Sequence, residues 1–364
     1  MRRVDARYRP VWEKCTVEQQ IALARYFLPH NSERPVLAPT RPRLIKWYCP
    51  FASQREFPSG HRYCINVYTG CAHGCVYCYA RSYEPQQASP KRDFARMLAR
   101  DLADLDRFNV PPAPVHLSNS TDPLQPLELR MRHTMQALEA ILTYRHRFTT
   151  VTLLTKNPLL VAQPEYVGLL KALDYAKPAG ATTRECATEA LARVQVEVSL
   201  AFWREDAAAF YDPHAPSVAE RLDGIAALRA AGLPVVLRID PLFPRSPLPR
   251  RWSAALPDFG LREAQTSEDL YQLLAFAKRV QVRHVVYSPL KIVQCRRGSV
   301  TEPMQRMLEV FRAISFPCRP VRKGLSWRMP DWYVRDCLVA PFLDMCRALG
   351  VTAKFCMSNV LETV

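Results

Sequence analysis

The sequence predicts an α/β protein built on a parallel sheet, and two observations predict it. Short apolar or β-branched runs recur at Cys64–Thr69, Val115–Ser118, Thr149–Leu154, Val194–Ala201, Pro234–Ile239 and Val282–Tyr287, while helical patterns lie between them at Asp93–Phe108, Arg130–Tyr144, Pro164–Leu173, Ser217–Ala231 and Ser267–Val280. Six such βα-like units in a row imply right-handed crossovers and a parallel sheet, either open or curled into part of a barrel. The second observation is size: 364 residues with 48% apolar content suffice for one large domain with extensions, or for two smaller ones.

In such a sheet, functional side chains gather at the carboxyl ends of the strands. The first run leads into Gly70-Cys71-Ala72-His73-Gly74-Cys75-Val76-Tyr77-Cys78-Tyr79, where three cysteines occupy eight residues. Thiolates at C-x3-C-x2-C spacing can grip one compact cofactor, yet they supply one ligand fewer than a closed tetrahedral site or a fully ligated [4Fe-4S] cluster needs. Zinc sites usually pair two knuckles; here only His73 or Cys64 could complete a tetrahedron. Ferredoxin runs need a fourth cysteine at other spacings, and nothing marks the chain as secreted and disulfide-bonded.

The second run is followed by Ser118-Asn119-Ser120-Thr121-Asp122-Pro123-Leu124-Gln125-Pro126-Leu127-Glu128, a polar cluster without helical period. Such residues routinely make turns and caps, but their place favours cofactor or substrate contact by Thr121 and Asp122. The third run ends at Lys156, a residue type often merely solvated, here projecting toward the face of the cysteine loop. Ser199 lies in the fourth run and Arg238 interrupts the fifth, where a charge is costly unless paired, which favours a cofactor or substrate role.

At the level of motif, C-x3-C-x-aromatic-C with Tyr77 before the last cysteine resembles the signature of radical S-adenosylmethionine enzymes. The wider stretch Asn66-Val67-Tyr68-Thr69-Gly70-Cys71 through Tyr79-Ala80-Arg81 is similar to the branch that contains spore photoproduct lyase and the relatives labelled DNA repair photolyases, with the resemblance running over roughly residues 60 to 290. The resemblance implies a partial TIM-type barrel of six βα units. It also implies a [4Fe-4S] cluster on Cys71, Cys75 and Cys78, with S-adenosyl-L-methionine chelated by the fourth iron. Reductive cleavage would release a 5'-deoxyadenosyl radical that abstracts hydrogen from a substrate, with the electron coming from a donor such as flavodoxin or ferredoxin. By the same resemblance Lys156 pairs with the cofactor's carboxylate, Ser199 lies near its methionine or ribose moiety, and Tyr79 lies against it. Tyr77 and Tyr79 join the hydrogen-transfer path, although both could serve only to shield the cluster. One departure stands out: Asn119 occupies the place where the lyase has its hydrogen-donating cysteine, so the lyase reaction does not carry over unless Cys186, Cys295 or Cys356 is brought into reach.

The formal charge is +16, and between Lys278 and Arg335 thirteen Lys or Arg stand against three Asp or Glu, interleaved with Trp327, Trp332 and Tyr333. That composition suits nucleic acid as a partner, or a solvated surface that reflects genome composition. No apolar stretch of about 18 residues predicts a membrane span, and a cytoplasmic, reducing compartment is expected for the twelve cysteines. Residues 1–48 read as an extension with a helix at Thr16–Tyr26, 49–290 as the partial barrel, and 291–364 as a basic extension. That extension holds helices near Glu302–Ser315 and Trp332–Leu349 and a strand at Val351–Phe355. Cys318, Cys337, Cys346 and Cys356 either hold a second cluster or are ordinary buried thiols, their wide spacing favouring the latter. The sequence thus favours a radical enzyme acting on nucleic acid. A peptide or small metabolite is the alternative substrate, and a zinc-stabilised nucleic-acid-binding protein the alternative class.

Overall fold

The computed structural model describes residues 13, 15–16, 44–46, 63–82, 85, 87–107, 112–175, 194–245, 248, 250, 252–254, 263–295, 302–314, 316–321 and 324–356. Eight strands form the main sheet. In spatial order they are β1 (Ile45–Lys46), β2 (Tyr63–Ile65), β3 (Ala113–Leu117), β4 (Phe148–Thr155), β5 (Val194–Ser199), β6 (Val235–Leu242), β7 (His284–Pro289) and β11 (Thr352–Phe355). β1 runs antiparallel to β2, and every later pairing is parallel. The helices are α1 (Phe94–Arg107), α2 (His133–Thr143), α3 (Pro164–Tyr175), α4 (Glu205–Tyr211), α5 (Val218–Ala230), α6 (Ser267–Arg279), α7 (Glu302–Ala313) and α8 (Ala340–Leu349). A second sheet, order β8 (Lys291–Cys295), β10 (Gly324–Arg328), β9 (Cys318–Val321), is antiparallel. β8 packs against the turn Tyr79–Ser82 that follows the last cysteine of the loop.

Strand alternation sorts the main sheet into two faces. Leu117, Leu153, Val196, Val198, Leu237, Ile239 and Val285 are all but fully buried. Each such side chain contributes about 1.5–3 kcal/mol by leaving water. The register aligns Cys64, His116, Thr152 and Gln195 across β2 to β5, and Ser199, Arg238, Val286 and Lys354 across β5 to β11, so these point to the opposite face. Parallel strands covered on both sides are usually apolar throughout. Here one face is polar, and that face is available for chemistry.

The expected alternation of strand and helix is present, with differences that have local causes. The first run stops pairing at Ile65, and Tyr68–Thr69 turns away to pair with Ser89–Pro90. The helix expected over Arg130–Tyr144 is broken at Arg132, whose φ is 52°, into a short turn at Glu128–Met131 and α2. The helix expected over Trp332–Leu349 becomes a π turn at Val334–Val339 before α8. Pro341 lacks an N–H and its ring crowds the preceding turn, and a widened turn absorbs this. The strand expected at Val351–Phe355 returns to the main sheet beside β7, making seven parallel strands rather than six. α4 and the three-stranded sheet lie where no element was expected. The helix expected at Thr16–Tyr26 lies outside the described residues, apart from Thr16.

α5 and α6 each begin with a capping box, Ser217 with Glu220 and Thr266 with Asp269, which fixes where the chain leaves the sheet. α5 lies tightly on the turn Pro158–Val161, because a Cβ at Gly224 would come within 2.5 Å of the Leu159 amide nitrogen. Gly224→Ala is expected to destabilise the fold by about 1–3 kcal/mol through overpacking. Urea unfolding checks this, and an unchanged midpoint would show that α5 can shift.

Candidate active site

The cysteine loop is shaped by its glycines and held from three sides. Gly70 has φ of 69°, and a Cβ there would approach the carbonyl oxygens of Gln87 and Pro85 at 2.4 and 2.6 Å. Gln125, fully buried, accepts from the Ala72 amide at 2.9 Å and donates to the Gly70 carbonyl at 3.3 Å. The segment after α4 supplies the third side: Val76 N–H donates to Tyr211 O at 2.9 Å and His214 N–H to His73 O at 3.1 Å. Cys75 is buried, whereas Cys71 and Cys78 are half-buried. Burial pushes the Cys71 thiol up to about 12 and the Cys75 thiol well above its ordinary value.

Asp122 joins this loop to the next two. Its Oδ1 accepts from Leu124 N–H and Thr155 Oγ1, both at 2.8 Å, its Oδ2 accepts from Lys156 N–H at 2.6 Å, and His73 Nε2 stands 3.0 Å from Oδ2. Burial works to raise its pKa, but His73 and these donors outweigh it and bring it below the usual aspartate range. Asp122, expected at the cofactor, thus has its oxygens occupied by the protein. Thr121 is half-buried and donates to Ser118 Oγ at 3.4 Å.

Lys156, Ser199 and Tyr77 do come together. The Lys156 ammonium donates to Tyr77 Oη at 2.9 Å, Ser199 Oγ at 3.0 Å and Asp212 Oδ2 at 3.0 Å, which uses all three of its N–H bonds. Tyr77 donates to Asp212 Oδ1 at 2.7 Å, and its ring packs edge-on against Phe202 and Phe243. Arg221, fully buried, donates to Asp212 Oδ2 at 3.0 Å, and its Nη2 has no partner among the described residues. Burial would lower the Lys156 pKa, yet the Asp212 carboxylate raises it, so the ammonium stays charged. Asp212 and Arg221 were missed by sequence reasoning. The only local signal was the acidic pair Glu205 and Asp206, which opens α4.

Tyr79 and Arg238 sit on either side of this group. Tyr79 donates to the Asn119 carbonyl at 2.6 Å, and the Asn119 side-chain amide donates to Cys64 Sγ at 2.8 Å, so a thiol lies against Asn119. Arg238 finds the pairing its burial demands: Glu197 Oε2 at 2.6 Å, Asp240 Oδ2 at 2.7 Å and Cys356 Sγ at 2.9 Å. Of the thiols named as hydrogen donors, Cys356 therefore reaches the polar face of the sheet; Cys186 lies outside the described residues. Cys346 is fully buried in α8. Among the described residues, no three His, Cys, Asp or Glu side chains group closely enough around a single metal ion, neither at the loop nor at Cys318, Cys337, Cys346 and Cys356. No described helix is long and apolar enough to cross a membrane.

No protein-family model matches the chain. Uncharacterized proteins of Mycobacterium tuberculosis and Mycobacterium bovis are each 30% identical to it over 196 residues, 50% of this chain and 50% of theirs. The chain thus spans about half the length of the curated relatives it matches. Among solved structures, a cysteine-to-serine variant of spore photoproduct lyase superposes with a TM-score of 0.55 at 12% identity, covering 86% of this chain and 80% of that one. A double variant of the same lyase, with bound AdoMet and dinucleoside spore photoproduct, gives 0.53 at 12% identity over 85% and 78%. The chain has the fold of spore photoproduct lyase.

Because the Asp122 carboxylate is held below its ordinary range, its contribution is present above the unfolded aspartate value of about 3.9 and is lost as pH falls through the lower folded value. Asp122→Asn should cost about 1.5–3 kcal/mol at pH 7. The gap from wild type should narrow in urea unfolding at about pH 3, below the unfolded value. An equal gap at both pH values would mean that packing, not charge, accounts for the loss.

Proposed function

We propose that this protein is a radical S-adenosylmethionine enzyme that abstracts hydrogen from nucleic acid. The observation that carries the reading is the placement of three thiols on one glycine-shaped loop at the carboxyl end of the first parallel strand, facing the polar side of a sheet with the lyase's fold. Three thiols within eight residues, one ligand fewer than a closed zinc site needs, suit a [4Fe-4S] cluster with one iron free of protein ligands better than they suit zinc. When bound, the cluster and S-adenosyl-L-methionine supply one-electron cleavage of the cofactor and hydrogen abstraction.

The chain's own residues bind and shield. Lys156 is a fixed cation that meets a carboxylate, after releasing one of its present partners, and Ser199 and Tyr79 offer hydroxyls beside it. Thr121 borders the same mouth of the sheet, and Arg238 with its acid partners forms the wall beyond Ser199. Tyr77, Phe202 and Phe243 exclude water around Cys75. Nucleic acid is supported by the basic stretch: Lys291 and Arg328 are direct cross-strand neighbours and Arg319 lies on the adjacent strand, all exposed, on the sheet that packs against Tyr79–Ser82. Like charges set opposite one another cost stability unless an anion arrives. The electron comes from a donor of the flavodoxin or ferredoxin kind.

Anaerobic reconstitution with iron and sulfide, then dithionite and S-adenosylmethionine, should yield 5'-deoxyadenosine by chromatography. Cys75→Ala should lose both the product and the broad visible absorption, while Cys318→Ala keeps them. A colourless protein holding one zinc would overturn the reading. Lys156→Ala should weaken cofactor binding by about 1.5–3 kcal/mol while iron stays bound. Calorimetry on the reconstituted protein measures this, and unchanged affinity would remove Lys156 from the site. Binding to a single-stranded oligonucleotide should fall steeply with salt; a flat response would point to a peptide or small metabolite instead.

A further inference from the structure

Beside Cys75 the fold buries three charges that the cysteine loop does not need for its own shape. Asp212 is held by Tyr77, Lys156 and Arg221, and the amide of Val76, next to Cys75, donates at 2.9 Å to the carbonyl of Tyr211, the residue before Asp212. Its side chain and that of Arg221 are sealed from solvent. Arg221 reaches the carboxylate from α5 while its Nε donates to Pro216 O at 2.8 Å, and its Nη2 is left without a partner among the described residues. A guanidinium that forgoes part of its hydrogen bonding in a sealed place is costly to keep. If its role were only to tie α5 to the sheet, a neutral donor would do so at lower cost.

Resting on the reading above, we infer that Asp212 and Arg221 set the reduction potential of the cluster held by Cys75, with Asp212 also positioning the Tyr77 hydroxyl and the Lys156 ammonium. Reduction adds one electron, hence one negative charge, to the group bound by the three thiolates. A fixed anion close by opposes that step and a fixed cation favours it, and burial keeps water from screening either. Asp212 offsets one of two buried cations, so a single net positive charge faces the loop. The donor therefore meets a cluster whose potential is tempered by a carboxylate that α4 delivers, more than 130 residues after the cysteines.

The test is a redox titration of the reconstituted protein followed by electron paramagnetic resonance, with iron content measured on every sample. Asp212→Asn should move the midpoint potential up and Arg221→Met should move it down, while Arg221→Lys, which keeps the charge, should leave it near wild type. Opposite signs from two neighbours in one salt bridge are not what a loosened fold produces. Shifts of the same sign, or none, would overturn the inference. Should Arg221→Met fail to hold iron, Asp212→Asn decides: a potential that does not rise defeats it. A wild-type chain that takes up no iron would instead sink the proposed function, and this inference with it.

Discussion

One buried carboxylate, that of Asp122, ties together the three loops on which the site depends. It receives donors from its own turn and from the end of β4, and His73 of the cysteine loop stands 3.0 Å from its Oδ2. An ionised oxygen pair surrounded by donors is worth roughly twice a neutral contact. That strength, delivered to three chain segments at once, makes the positions of Cys71, Lys156 and Thr121 a single cooperative choice.

The same device recurs. Asp101 on α1 accepts the Leu44 and Ile45 amides and so docks β1. Glu128, fully buried, accepts from the Tyr68 and Tyr166 hydroxyls and from the Thr134 and Met135 amides, and thereby caps α2 where Arg132 breaks the helix. Asp212 gathers a tyrosine, a lysine and an arginine. Each acid satisfies donors that the sheet and helices leave over, which is the condition on which a polar interior is stable. Packing on the outer face of the sheet supplies the bulk of the stability, and the acids decide which geometry the polar face adopts.

Much of this was legible in the sequence, and what was not has a physical reason. The cysteine loop was legible because its three ligands lie within eight residues. Lys156, Ser199 and Arg238 were legible because the parallel strands bring consecutive strand ends to one side, so position in the chain nearly fixes position in the site. Asp212 was not, because it follows a helix of only seven residues whose pattern competes poorly with coil, and two of its three partners, Lys156 and Tyr77, are 56 and 135 residues away. The pairing of Arg238 with Cys356 depends on β11 returning to the sheet across an intervening antiparallel sheet, a topological event that leaves no local mark. The π turn before α8 could have been read from Pro341, since a proline inside a helical pattern must disturb it.

The acids that organise the interior also change what the exterior presents. Among the described residues, Asp101, Asp104, Asp122, Glu128, Glu197, Asp212 and Asp269 are buried, against only Lys156, Arg221 and Arg245 of the cations. Interior charges act over short range on their partners, while exposed ones set the long-range field. Among the described residues, burial therefore takes more acids than cations off the surface. An excess of exposed cations is a standing repulsion within a folded protein, and it is relieved most when a polyanion releases its counterions on binding. The arrangement that pins the cysteine loop from within is thus also one that keeps acids off the described surface, which is what the proposed nucleic-acid partner requires.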